Sequence, residues 1–245
     1  MIKIENLTKH FDGYTALNNF TMSVNKGSIY GLVGVNGAGK TTVIKHLAGV
    51  FRGDVGKIQI DETEIYDNEK IKARVGYIPD DLYFFPQYTL KMLGKFHAKM
   101  HKNWNEERFS ELITLMGLDK KRRVGRFSKG MQKQTALALV LSTMPEVLLL
   151  DEPIDGLDPI VRKKIFQWII GDVADRKMTV LISSHNLKEM DGICDTVGII
   201  KDGQMLLERD LDELKSEMAN NKEFEHQPAS LDEIFIYVYE KEAEK

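Results

Sequence analysis

A chain of 245 residues and 28.0 kDa has room for a large core, arranged as one large domain or two small ones. Its 42% apolar and 29% charged residues exclude a disordered, high-charge chain. Its 34 basic against 37 acidic groups, a net charge of -3, give no ground for wholesale attraction to nucleic acid or an anionic bilayer. In chain order, Ile2 and Ile4 alternate with Lys3 and Glu5, and Phe20, Met22 and Val24 with Thr21 and Ser23. Ile58 and Ile60 flank Gln59. These period-two patterns predict half-buried strands of an antiparallel sheet with one wet face. Ile29 to Val33, Val147 to Leu150 and Val180 to Ile182 are apolar on both faces, as central strands of a helix-covered parallel sheet are.

From about Leu90 to Leu118 the apolar positions recur at helical spacing, as at Leu112, Leu115 and Met116, which predicts a helical insert. Residues 91–126 hold ten Lys or Arg against four Asp or Glu, whereas residues 208–245 hold twelve acids against five bases. The basic cluster reads as a solvated helix face, or as attraction to a partner or lipid headgroups. Asp202-Gly203 between Val197–Ile200 and Gln204–Leu207 predicts a type I′ hairpin, because both turn residues must take positive φ. Ser230 and Glu233 have capping-box spacing ahead of a stripe of Leu231, Ile234, Phe235 and Val238. That helix is expected to pack on its own domain, with self-association as the alternative. The one cysteine, Cys194, excludes an internal disulfide and fits a reducing compartment. The longest wholly apolar strand run, Val147 to Leu150, falls far short of the roughly 20 residues that cross a bilayer. Residues 1–13 carry no signal-like stretch, so a cytoplasmic location is expected.

Gly34-Val35-Asn36-Gly37-Ala38-Gly39-Lys40-Thr41 fits the phosphate-loop pattern, directly after an apolar strand and before the helical run Val43 to Ala48. Glycines let backbone N–H groups converge on phosphates, Lys40 reaches the β- and γ-phosphates, and Thr41 offers a hydroxyl to Mg²⁺, with Thr42 beside it. Such a loop fits kinases, GTPases and ATPases alike. The second acidic element follows Val147-Leu148-Leu149-Leu150. Asp151, emerging at a strand end, is suited to hold Mg²⁺ directly or through water. Glu152, pointing the other way, is suited to polarise a water for attack on the γ-phosphate.

Taken with three further elements, these residues closely resemble the nucleotide-binding subunits of ATP-binding cassette transporters across nearly the whole chain. Phe127-Ser128-Lys129-Gly130-Met131 stands where that family carries its signature, Gly156-Leu157-Asp158 resembles the loop after the acidic pair, and Ser183-Ser184-His185 resembles the strand ending in the switch histidine. The resemblance implies an α/β P-loop NTPase fold with a RecA-like core. The N-terminal antiparallel subdomain and phosphate-loop half of the core would be residues 1–78, a helical insert 79–135, the rest of the core 136–207 and an acidic helical extension 208–245. It implies ATP and Mg²⁺ as cofactors and a head-to-tail dimer, with the same chain or a sibling ATPase. In that dimer Ser128 and Gly130 contact the γ-phosphate in trans, and His185 holds transition-state charge and attacking water. Phe11, or else Tyr14, stands where the family stacks an aromatic on adenine.

Some positions depart from the family pattern. Asp80, after Tyr77-Ile78-Pro79, occupies the usual glutamine position and is assigned to metal or coupling; a carboxylate there binds Mg²⁺ more strongly but repels the γ-phosphate when metal is absent. Lys129 and Met131 replace a glycine and a glutamine of the commonest signature, and Ile154 and Asp155 replace a small hydroxylated pair. Such variants resemble the drug- and solute-exporter branch. The implied function is a peripheral ATPase driving a separately encoded membrane permease that exports a small solute, peptide antibiotic or lipid. Tyr83, Phe84 and Phe85 stand where that permease docks, or belong to the insert's core. The alternatives are a soluble cassette acting on DNA or ribosomes, which lacks support in the absence of coiled coils, zinc modules or a second cassette, and a nucleotide-gated dimerising subunit with negligible turnover. Nucleic acid is not expected as a partner.

Overall fold

The computed structural model describes residues 1–153, 157–219 and 230–243. Ile154, Asp155 and Gly156, singled out in the sequence, lie outside the described residues.

Strand β1 (Ile2–Phe11) folds back on β2 (Tyr14–Val24), and β4 (Val55–Ile60) and β5 (Thr63–Glu64) extend this into an antiparallel sheet of order β2-β1-β4-β5. The alternation works as expected: Ile2, Ile4, Leu7, Phe20, Met22 and Val24 are buried. Register slips after Ile4, where Asn6 takes a positive φ of 51° and bends the strand.

The second sheet has the order β10-β9-β3-β8-β7-β6, built from β3 (Ile29–Val33), β6 (Val75–Ile78), β7 (Val147–Asp151), β8 (Thr179–Ser184), β9 (Thr196–Lys201) and β10 (Gln204–Asp210). All pairs are parallel except β9 with β10. The runs apolar on both faces, β3, β7 and β8, are buried at every position. The hairpin turns at Asp202 (φ 49°) and Gly203 (φ 74°), as a type I′ turn requires. Its tip braces the phosphate loop: the Gly203 N–H donates to the Ala38 carbonyl at 3.0 Å, and the Gly203 carbonyl accepts from Asn18 N–H at 3.0 Å.

Helix α1 (Lys40–Leu47) starts at the phosphate loop, and α2 (Glu69–Lys72) precedes β6. The insert contains α3 (Leu90–Met100) and α4 (Glu106–Leu115), N-capped by Thr89 and Asn105, whose side chains accept from Met92 N–H and Arg108 N–H. Helix α5 (Lys129–Ser142), capped by Ser128, runs unbroken past residue 135, so one rod spans the expected boundary between insert and core. Arg108 on α4 and Arg176 both pair with buried Asp172 on α6 (Pro159–Arg176), Arg108 Nη1 donating to Asp172 Oδ1 at 2.9 Å. This ties insert to core. After α7 (Leu187–Met190) and the hairpin come α8 (Leu211–Ala219) and α9 (Leu231–Ala243). The capping box is formed: Glu233 Oε2 accepts from Ser230 N–H at 2.7 Å, and Ser230 Oγ accepts from Glu233 N–H at 3.3 Å. Leu231 and Ile234 are fully buried on the chain's own core, with Phe235 and Val238 packed beside them. Cys194 is buried next to Met190, with its thiol pushed up by burial.

Candidate nucleotide site

Four parallel strands end on one edge, and the chain leaving each brings a chemical group there: the phosphate loop after β3, Asp80 after β6, Glu152 after Asp151 at the end of β7, and His185 after β8. Ligand crevices of open α/β sheets lie at such carboxyl ends. A cleft of about 400 Å³ opens between this edge and the first sheet, lined by Phe11, Tyr14, Ala16, Asn36, Gly37, Gly39, Lys40, Thr41, Thr42, Asp80 and Glu152.

The loop's glycines are there for two different reasons. Gly39 takes φ 109°, which a side chain rarely allows, and lets α1 begin with uncapped N–H groups. A Cβ at Gly34 would stand 2.5 Å from the Ile200 carbonyl oxygen, so the loop passes β9 only without one. Lys40 is buried and donates to the Gly34 and Val35 carbonyls at 2.7 and 3.2 Å, folded into the turn that would hold the phosphates. Burial pushes its pKa down, while Glu152 and Asp151 oppose the shift.

Asp151 is 1% exposed. Its Oδ1 accepts from Thr41 Oγ at 3.1 Å and Ser183 Oγ at 2.6 Å, while its Oδ2 is buried with no protein partner. An orphaned carboxylate oxygen beside a threonine hydroxyl is a donor set that suits Mg²⁺, which prefers hard oxygens and takes its remaining ligands from phosphates and water. Burial also raises the phenol of Tyr77 to about 12, with the Asp151 charge adding to it. Glu152 holds a left-handed backbone at φ 47°. Its N–H donates to the Ser183 carbonyl at 3.2 Å, and its Oε2 lies 2.9 Å from His185 Nδ1 and 3.3 Å from the His185 N–H. Its Oε1 is 3.8 Å from Lys40 Nζ.

The structure therefore brings together Phe11, Asn36, Gly37, Gly39, Lys40, Thr41, Thr42, Asp80, Asp151, Glu152 and His185, with Gly34 forming the loop's buried base. Phe11 and Tyr14 both reach the cleft, Phe11 with its ring edge-on to Phe51 at 5.2 Å. Ser128 and Gly130 do not line it; Ser128 is exposed at the head of α5. Asp80 pairs with Lys133, Nζ to Oδ1 at 3.2 Å. Ser183 and Lys133 carry roles the sequence reading did not give them. The available signal for Ser183 was a polar residue following the apolar run Val180 to Ile182 in β8; Lys133, between Gln132 and Gln134, gave none, although it opens the buried stretch of α5.

The ABC transporter family model matches residues 17–155. The ABC transporter ATP-binding protein YtrB of Bacillus subtilis (strain 168) is 33% identical over 217 residues, 89% of this chain and 74% of its own. The bacitracin transport ATP-binding protein BcrA of Bacillus licheniformis is 36% identical over 228 residues, covering 92% and 74%. Among solved structures, an ATP-binding subunit of an ABC transporter superposes with a TM-score of 0.87 at 24% identity, covering 98% of this chain and 99% of that one. A dimeric ATP-binding cassette in a post-hydrolysis state, bound to ADP and Pi, superposes at 0.77 with 22% identity, over 86% and 99%. These two likenesses show the fold. The family match from the second strand through the acidic pair, joined to relatives a third identical along most of the chain, shows that this protein belongs to the ABC transporter family as an ATP-binding, ATP-hydrolysing cassette.

Proposed function

We propose that the chain powers an exporter of small amphipathic compounds such as peptide antibiotics, hydrolysing ATP held between two copies of the cassette. The bacitracin and lantibiotic transport proteins among its relatives support the cargo class. No helix among the described residues is long and apolar enough to cross a membrane, so the transport path is assigned to a separate permease at whose inner face the cassette sits. Tyr83 and Phe85 are exposed at 80% and 52% and suit its docking, whereas Phe84 packs inward.

One observation carries the chemistry: Lys40, the Thr41–Asp151 pair and the Glu152–His185 pair meet on a single sheet edge. Lys40 turns from the loop carbonyls to the β- and γ-phosphates, and Phe11 or Tyr14 covers the base. Thr41 and Asp151 would hold Mg²⁺, with Asp80 facing the same cleft. The metal would supply charge neutralisation for the phosphates there. Glu152 accepts the proton of the attacking water, and His185 fixes that carboxylate and faces the developing charge. Ser128 and the Gly130 N–H of a second copy complete the γ-phosphate cradle.

In a phosphate-release assay, Glu152→Gln lowers turnover by about 10² to 10⁴, the range of a lost general base, while still binding ATP and accumulating as a dimer in size-exclusion chromatography. Lys40→Ala loses nucleotide binding. Wild-type turnover in Glu152→Gln overturns the assignment.

A further inference from the structure

Lys133 stands at the head of the buried stretch of α5, only 8% exposed, and its ammonium group leaves the helix to reach two acceptors. It donates to the main-chain carbonyl of Glu152 at 2.7 Å and to Asp80 Oδ1 at 3.2 Å. Three elements meet at this one nitrogen: the helix headed by Ser128, the turn after β7 and the segment after β6.

Each contact answers a separate physical problem. The left-handed backbone of Glu152 persists only if its surroundings fix it, since such conformations are sparsely populated away from glycine. The peptide N–H of Glu152 is held by the Ser183 carbonyl at 3.2 Å, and the carbonyl by Lys133 at 2.7 Å. Clamped at both ends, the residue has its carboxylate aimed at His185 and the cleft. The second problem is charge. Asp80 and Glu152 both line the cleft a triphosphate must enter, and Lys40 is the one cation among its lining residues. An uncompensated carboxylate at position 80 would repel the incoming phosphates. Lys133, just outside the lining, supplies the opposite charge.

We propose that Lys133 is a positioning residue for Glu152 and, at the same time, the counter-charge that lets a carboxylate at position 80 face a nucleotide. The first half rests on Glu152 being the group that activates water; the second does not. The two acids are thereby linked through one side chain of α5, the helix that presents the signature serine.

The test uses Lys133→Met, Lys133→Arg, Asp80→Asn and the double variant Lys133→Met/Asp80→Asn in the full chain. The readouts are binding of a fluorescent ATP analogue in EDTA and kcat and KM with Mg²⁺. Lys133→Met is expected to weaken metal-free binding about tenfold, because Asp80 loses its partner, and to lower kcat about tenfold or more. Adding Asp80→Asn restores binding but not kcat, and Lys133→Arg keeps both. Asp80→Asn alone, at an exposed side chain that does not threaten folding, tightens metal-free binding roughly two- to threefold by freeing the ammonium charge. Binding and turnover of Lys133→Met within twofold of wild type overturn the proposal, as does a double variant that binds no better than Lys133→Met. If Lys133→Met does not fold, unchanged binding in Asp80→Asn overturns the counter-charge half, and full kcat in Lys133→Ala overturns the positioning half where that variant folds. Failure of the Glu152 assignment is seen separately, as wild-type turnover in Glu152→Gln.

Discussion

Buried Asp151 and half-buried His97 each hold an unpartnered polar atom, with opposite consequences. The unpartnered Oδ2 of Asp151 adjoins the Thr41 hydroxyl at the proposed Mg²⁺ site, where a bound cation would relieve it. His97, on α3, has its Nδ1 buried without a partner, stacked on His101 at 5.4 Å and tilted against Trp104. Burial, reinforced by His101, pushes its pKa down to about 4. A base whose folded pKa lies below the unfolded value near 6.5 binds fewer protons folded than unfolded. Its contribution is therefore intact above pH 6.5 and lost as pH falls toward 4. Thermal unfolding at pH 7.5 and 5.0 is expected to show a drop in Tm that shrinks in His97→Phe; an equal drop in both proteins disproves it. At this scale the phosphate-loop residues were legible because their spacing is itself the chemistry. Ser183 was not legible as a partner of Asp151, because that pairing depends on β7 lying beside β8 in one register, Asp151 opposite Ser183.

Short-range signals decided which elements could be read. The Asp202-Gly203 turn and the Ser230/Glu233 cap are fixed within a few residues, and both formed as expected. Strand β6 escaped notice because it is four residues long and includes Gly76, whose missing side chain makes room for Val140 of α5. The contact between α9 and the phosphate loop escaped for the opposite reason, since it joins residues 204 positions apart. There the Tyr239 hydroxyl donates to the Ile200 carbonyl at 2.6 Å and accepts from the Val35 N–H at 3.3 Å. The acidic extension is thus a brace for the loop. Tyr239→Phe leaves both backbone groups without this partner, and should cost about 1–3 kcal/mol in denaturant unfolding. It should also weaken ATP binding several-fold by isothermal titration, and unchanged affinity would show that the brace does not reach function.

Across the whole molecule, the described cleft becomes half a site under the proposed pairing of two copies. Phosphate loop, acid pair and His185 converge, yet Ser128 stands exposed at the head of α5 and does not line that cleft. That proposed division rests on family resemblance, since nothing in the spacing of Ser128 from Lys40 assigns them to different copies. Mixing Lys40→Ala chains with Ser128→Arg chains should restore ATPase activity that neither has alone. Random pairing of two copies gives about a quarter of the wild-type sites; no recovery would place the signature outside catalysis. Cys194 makes the proposed approach of two copies measurable. Sealed in the core with a thiol that resists ionisation, the one native sulfhydryl is hidden from maleimides and spin labels. Engineered cysteine pairs can therefore carry dyes on an otherwise native chain, and inter-dye distances can time the approach of the two copies without a cysteine-free background.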